Sequence, residues 1–198
     1  DGAGNIYVAD GLTIRKVTTN NVVTTWVGNP YQRGSQDGQG TNATFARLQG
    51  IAADGTGNFY LTDAGNNLIW KVTSGGRVTT LAGNPNVNTN GLRPGGYQDG
   101  KGTNALFRSP RGIAVDGAGM IYVADALNRV IRKVTPDGTV TTLAGSPPYD
   151  TNGNFVFSQN FPDGTGTNAG FAWPTDLTVD AAGTIFVVDG FRSVRKIT

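Results

Sequence analysis

The stretch PRGIAVDGAGMIYVADALNRVIRKVTPDGTVTTLAG, residues 110–145, contains the pattern that decides the fold. It holds four short runs rich in Val, Ile and Thr, and the turn sequences DGAG and PDG stand between runs. β-branched residues favour strands, whereas Gly and Asp favour tight turns. The stretch therefore predicts four antiparallel strands joined by hairpins.

Versions of this unit recur along the chain. The second runs end at Asp10, Asp63, Asp125 and Asp189, and the last three of these residues lie 62 and 64 residues apart. The third runs read TIRKV, LIWKV, VIRKV and SVRKI. Self-similarity at a nearly fixed period indicates a repeat architecture. Four antiparallel strands per repeat describe one blade of a β-propeller, so we predict an all-β fold.

The consensus PxGIAVDxxGxxYVADxxNxxIRKVTPxGxVTTLAG resembles the NHL repeats of β-propellers, especially the VTTLAG-type repeats of exported proteins. The resemblance covers nearly the whole chain, and residues 110–145 fit it best. Leu48, Trp70 and Asp176 depart from the pattern. The resemblance implies a ring of six blades and an extracellular or cell-surface location.

The chain is expected to form a propeller segment over residues 1–198, with blades at 1–28, 48–83, 110–145 and 174–198. The first and last blades each lack one strand, so two complete and two partial blades are expected. An unpaired strand edge invites association. We therefore expect further blades, from the same or another chain, to cover these edges.

Composition excludes several classes of function. The chain has 198 residues, 30 of them Gly, and contains no Cys, no His and no Glu. These absences exclude disulfides, zinc fingers, thiol nucleophiles and triads that use His. A net charge of +2 argues against nucleic acid as a partner, and no apolar run is long enough for a membrane span. We predict no enzyme activity and no cofactor.

Most of the 14 acidic residues, all Asp, stand at repeated positions and are expected to serve the fold. Asp side chains accept hydrogen bonds from nearby backbone N–H groups and so fix turns. The alternative is a Ca²⁺ site in the repeated DGxGTN loops, because oxygen-rich loops suit hard cations. Phe45, Phe107 and Phe171 close those loops and are predicted to fill the core between blades.

Repeated basic residues in the third strands allow two interpretations. One is a basic ladder for RNA, which some NHL proteins bind, and the other is pairing with neighbouring Asp residues or a solvated strand face. The residues concerned are Lys16, Lys71, Lys133 and Lys196, with Arg15, Arg132 and Arg195 before three of them. We favour the second interpretation, because no basic cluster is interleaved with aromatics.

Variable loops are the expected place for binding. The loops between second and third strands and the loops between blades should emerge on one face, here called the long-loop face. Aromatic, Arg and Asp residues in and beside them are the candidate binding residues: Tyr31, Arg33, Arg93, Tyr97, Tyr149, Phe155, Phe157, Trp173 and Asp176. The alternative is that the inserted loops fold back onto their own blades. Asn42 begins a sequon for N-glycosylation.

The sequence favours a non-catalytic extracellular scaffold or interaction module that binds protein or glycan through the long-loop face. A hydrolase or lyase that uses carboxylates or Ca²⁺ is the alternative, with Asp176 as its candidate carboxylate near the channel. RNA binding is a third hypothesis.

Overall fold

A computed structural model describes residues 1–86, 95–149, 156, 160–190 and 193–198, which form four antiparallel sheets arranged as propeller blades. Blade 1 contains β1 (Ile6–Asp10), β2 (Thr13–Val17) and β3 (Val23–Val27). Blade 2 contains β4 (Gly38–Gln39), β5 (Leu48–Ala53), β6 (Phe59–Asp63), β7 (Leu68–Val72) and β8 (Arg77–Ala82). Blade 3 contains β9 (Gly100–Lys101), β10 (Pro110–Val115), β11 (Ile121–Asp125), β12 (Val130–Val134) and β13 (Thr139–Ala144). Blade 4 contains β14 (Pro174–Val179), β15 (Ile185–Asp189) and β16 (Ser193–Ile197).

The predicted all-β propeller is confirmed, since each of the fourteen predicted apolar runs forms a strand. The four helices in the described part of the chain are single 3₁₀ turns of three residues each. The short strands β4 and β9 were not predicted. Each begins in a DGxG loop and pairs with the fourth strand of the following blade, so blades 2 and 3 have five strands.

The first hairpin of each blade depends on a carboxylate, as predicted. Asp54 Oδ1 accepts hydrogen bonds from the backbone N–H groups of Thr56 and Asn58, both at 2.9 Å. Burial raises the pKa of Asp54, but hydrogen bonds from the backbone and side chains of Asn58 and Thr56 outweigh the effect of burial. The pKa of Asp54 is therefore lowered to about 2. Asp1, Asp116 and Asp180 accept equivalent bonds in the other blades.

The inner strands of neighbouring blades approach closely at two glycines. A Cβ atom on Gly50 would lie 2.5 Å from the carbonyl oxygen of Arg111, and one on Gly112 would lie 2.5 Å from the Cα atom of Asp176. No side chain fits at those distances, so the repeated glycine of the first strand sets the spacing between blades.

Three apolar clusters fill the spaces between successive blades. Phe45 and Phe107 have no exposed surface and Phe171 is nearly as buried, which confirms that these residues belong to the core. The rings of Phe45 and Trp70 pack edge to face with centroids 5.4 Å apart. Trp26 packs between blades 1 and 2 against Tyr7 and Phe59.

A buried carboxylate at the end of the second strand fastens the loops of the long-loop face. Asp125 has no exposed surface and accepts hydrogen bonds from the N–H of Arg108 at 2.8 Å and from Asn128 Nδ2 at 2.7 Å. Arg132 Nη1 pairs with the same carboxylate at 3.0 Å. The Asn128 amide also donates to the carbonyl of Gly96, so one cluster holds two separate loops.

Blades 2 and 4 each repeat part of this cluster. Asp63 accepts bonds from the N–H of Arg47 at 2.8 Å and from Asn66 Nδ2 at 2.8 Å. In blade 2 the buried Trp70 stands where blade 3 has Arg132. Blade 4 has Arg195 at the position of Arg132, and Arg195 pairs with Asp189 at 3.4 Å and with Asp163 at 2.6 Å. The pairing of repeated Arg with Asp is therefore confirmed in blades 3 and 4.

The ion pair in blade 3 is sealed from water. Burial raises the pKa of Asp125 to about 6, while the charge of Arg132 and the bonds from Arg108 and Asn128 oppose that rise. The carboxylate is therefore ionised at neutral pH. Because its folded pKa lies above the ordinary carboxyl value, the stability it contributes is full in acid and falls as the pH rises through about 6.

Arg132→Met should leave the Asp125 carboxylate buried without its cation. Breaking a buried pair in this way is expected to lower the free energy of unfolding by about 3–5 kcal/mol at neutral pH. The pKa of Asp125 then rises further, so the loss should be smaller near pH 5 than near pH 8. Urea denaturation at the two pH values measures both quantities.

Arg195→Met is the matched control, because the Arg195 side chain is 17% exposed and its loss is screened by solvent. We expect a smaller loss of stability from this change. Equal losses for the two variants, or a loss for Arg132→Met that does not depend on pH, would contradict this account of the ion pair.

Candidate functional site

The long-loop face forms as predicted. Where the structure describes them, the loops after β6 and β11 lie beside the loops between blades. Asn66 and Asn128 bond to the buried carboxylates and also to the carbonyls of Gly34 and Gly96. An open cavity of about 740 Å³ lies on this face between blades 2 and 3. Tyr97 and Tyr149, both candidate binding residues, line it together.

Three polar residues that line the cavity were not among the predicted candidates. Arg108 and Ser109 come directly before β10, and Asn67 lies in the loop between β6 and β7. A signal was present in the sequence, because blades 2 and 4 have Ala46 and Ala172 where blade 3 has Arg108. A search for departures from the repeat before each first strand would therefore have found it.

The two tyrosines of the cavity have different environments. Tyr97 shares a hydrogen bond of 2.8 Å with Thr142 Oγ1, and its ring centroid lies 5.2 Å from the guanidinium of Arg132. This part of the second inserted loop therefore folds back onto blade 3. Arg108 donates a hydrogen bond from Nη1 to the Tyr149 hydroxyl, and its guanidinium lies 5.7 Å from the Tyr149 ring centroid.

Trp173 and Asp176 lie near the inner strand of blade 4. The Trp173 side chain is about a third exposed, and the Arg111 guanidinium lies 5.3 Å from its ring. Asp176 Oδ1 accepts a hydrogen bond from the N–H of Leu177 at 2.9 Å and packs beside Gly112. Asp176 therefore has a local role in the backbone of β14.

Tyr31, Arg33 and Asn42 belong to blades 1 and 2, away from the residues that line the large cavity. Tyr31 is 96% exposed and lines a separate depression with Asn42, whose side chain is also exposed. Thr44, the third residue of the sequon, is buried and accepts a hydrogen bond from the N–H of Gln36. The remaining candidates, Arg93, Phe155 and Phe157, lie outside the described residues.

The carboxylates of the described ranges serve mainly as hydrogen-bond acceptors. Among the residues that the structure describes, no group of three or more acidic side chains could hold a metal ion. In the DGxGTN loops, Asp37 and Asp99 accept bonds from the N–H and hydroxyl groups of Thr80 and Thr142 in the next blade. No helix in the described part of the chain has the length and apolarity that a membrane crossing requires.

Comparison with known proteins finds a matching family model and several similar proteins. The family model of the Teneurin NHL domain matches residues 93–189. Human Teneurin-1 is 29% identical over 217 aligned residues that include the whole chain, and the chain covers 8% of that protein. NHL repeat-containing protein 2 of Gallus gallus is 35% identical over 43% of the chain, which covers 11% of that relative. The chain thus spans only a small part of the length of these relatives.

A solved structure supports the fold. A putative phosphatase from Bacteroides thetaiotaomicron superimposes with a TM-score of 0.70 at 18% identity, over 99% of this chain and 46% of the other. At that identity the likeness concerns the fold alone. Together with the repeated sheets, the matching family model and these relatives support an NHL-repeat β-propeller.

Proposed function

We propose that the chain is a non-catalytic interaction module of an extracellular or cell-surface protein, and that it binds a protein partner through its long-loop face. The similarity to Teneurin-1 along the whole chain and to the Teneurin NHL domain supports an interaction role. The VTTLAG-type repeats, typical of exported proteins, support the location.

The distribution of charge on the two faces is the observation that carries the proposal. On the long-loop face Arg33, Arg47 and Arg108 are exposed. Of the repeated carboxylates at the ends of the second strands, those of blades 2, 3 and 4 are at least 96% buried, and Asp10 of blade 1 is exposed. The opposite face presents the Asp residues of the first hairpins. A basic surface with aromatic side chains favours partners that carry carboxylates, because complementary charge steers association.

Catalysis has weaker support. The chain lacks His and Cys, and its repeated carboxylates accept hydrogen bonds from backbone N–H groups. Asp176, the candidate of the hydrolase alternative, accepts a bond from its own strand, and no second carboxylate pairs with it in the described ranges. An acid and base pair needs two carboxyl groups placed across a substrate.

Site-specific crosslinking tests which face binds the partner. A benzophenone amino acid is introduced at Tyr31 or Tyr149 on the long-loop face, or at Ala118 in a hairpin of the opposite face. We expect illumination on native cell surfaces to give the same crosslinked protein from both tyrosine positions and none from Ala118. Crosslinks from Ala118 alone, or a glycan as the only captured species, would contradict the proposal.

The open edge of blade 4 supports a second kind of partner, a further strand of the same repeat type. A groove of about 480 Å³ beside β16 lies where β8 and β13 complete the other blades. Asp163 lines it with its side chain 97% exposed, whereas its counterparts Asp37 and Asp99 bond to Thr80 and Thr142 of a fourth strand. We infer that the groove receives a strand with Thr at that position.

The peptide GRVTTLAGN, which copies residues 76–84, should bind this groove in a fluorescence anisotropy titration. Changing the second Thr of the peptide to Ala removes the hydroxyl that would donate a hydrogen bond to Asp163. This change should weaken binding about fivefold, the value of one hydrogen bond. In Asp163→Ala the two peptides should bind equally. If both peptides bind the unmodified chain equally, the inferred role of Asp163 is wrong.

A further inference from the structure

Blade 3 departs from its repeat at the cavity between blades 2 and 3. Arg108 stands where blades 2 and 4 have Ala, and Ser109 stands where they have Arg47 and Trp173. Tyr149 reaches the cavity from an inserted loop. Repeated residues build the blades, so a set of departures that converges on one cavity points to a role beyond folding.

The described lining of the cavity carries positive charge. It contains Arg108, and none of the lining residues that the structure describes is an Asp. Every ion pair found among the described residues uses Lys101, Arg132 or Arg195, so the Arg108 guanidinium has no carboxylate partner there. Its one side-chain hydrogen bond in this part of the chain goes to the Tyr149 hydroxyl, and Nη2 and Nε remain available. Arg108 itself is exposed, so a ligand can reach it.

Two further donors face the same space. Ser109 has a left-handed backbone with φ of 53°, and its N–H donates to Asn67 Oδ1 at 2.8 Å across the junction between blades. This bond orients the amide so that Asn67 Nδ2 is directed toward Gly95, another lining residue. Left-handed backbone at a non-glycine residue costs energy and often marks a binding site.

Arg108 is held in place by the buried cluster of blade 3. Its N–H donates to Asp125 at 2.8 Å, and the Tyr149 hydroxyl steadies one side of its guanidinium. A guanidinium that is fixed before binding loses little entropy when it forms two parallel hydrogen bonds to a carboxylate.

We propose that this cavity binds a carboxylate group. Arg108 forms the charged hydrogen bonds, Asn67 Nδ2 and the Ser109 hydroxyl donate to the remaining oxygens, and the rings of Tyr97 and Tyr149 contact the carbon skeleton that bears the acid. An Asp or Glu side chain of a partner protein presents this chemistry. The proposal rests on the proposed function in that it names what the long-loop face recognises.

Isothermal titration calorimetry with two pairs of probes tests the site and distinguishes the sources. One pair is a glucuronate-containing tetrasaccharide and its neutral glucose counterpart. The other pair is a capped Glu-rich pentapeptide and its Gln counterpart. We expect the Glu-rich pentapeptide to bind and its Gln counterpart to bind at least about tenfold more weakly, the value of one charged hydrogen bond. Binding of the glucuronate-containing tetrasaccharide without the Glu-rich pentapeptide would contradict a protein source.

Variants of the chain locate the binding. Arg108→Ala restores the residue that the other blades use, so folding is expected to be preserved, and affinity should fall at least about tenfold. Arg108→Lys keeps the charge but loses the paired hydrogen bonds and should be intermediate. Arg47→Ala is the matched control, because Arg47 is exposed on the same face and does not line the cavity.

Three further results would overturn the proposal. The first is no binding of the Glu-rich pentapeptide at about 10 mM, a concentration that detects very weak sites. The others are equal binding of its Gln counterpart, or equal weakening by Arg47→Ala and Arg108→Ala. Crosslinking from the long-loop face can still succeed in each case. Failure of the carboxylate site is therefore distinguishable from failure of the interaction role.

Discussion

The buried carboxylate that ends the second strand of a blade is the interaction on which the rest of this structure depends. Asp63, Asp125 and Asp189 each accept a hydrogen bond from the backbone before the first strand of the same blade. In blades 2 and 3 an Asn amide from the next loop completes the cluster. These bonds are made in a water-poor interior, where an unsatisfied donor would be costly.

The same cluster explains why one face of the propeller can vary. The residue before each first strand bonds to the carboxylate through its backbone N–H group, which every residue except proline possesses. The side chains at Arg47, Arg108 and Trp173 can therefore change while the backbone stays in place. Blade 3 has Arg108 at the mouth of a cavity, and blade 4 has Trp173 near its inner strand.

Much of the fold could be predicted, because its strands repeat with a regular pattern of β-branched residues and turn residues. The strands β4 and β9 escaped prediction since Gly38–Gln39 and Gly100–Lys101 carry no apolar pattern. They form because Asp37 and Asp99 bond to the fourth strand of the next blade, a contact that depends on tertiary structure. Blade 2 also shows that Trp70 can take the place of the buried Arg without loss of the cluster around Asp63.

The candidate site could be predicted only in part. Tyr97 and Tyr149 stand out in the sequence as aromatics in inserted loops, but nothing in the sequence shows that they line one cavity. Arg108 was missed because it lies at the edge of the repeat, where a single substitution for Ala changes the chemistry of the junction. The left-handed conformation of Ser109 depends on its bond to Asn67 from the neighbouring blade, so it is a property of the assembled propeller.

Native-state hydrogen exchange gives the most direct test of the claim that buried carboxylates hold the long-loop face. The residues Arg47 and Arg108 are exposed, but their N–H groups donate to Asp63 and Asp125. We predict that both N–H groups exchange only through global unfolding, with the same free energy as the core strand residue Leu61. Exchange as fast as that of Tyr31, in an exposed loop, would contradict the account.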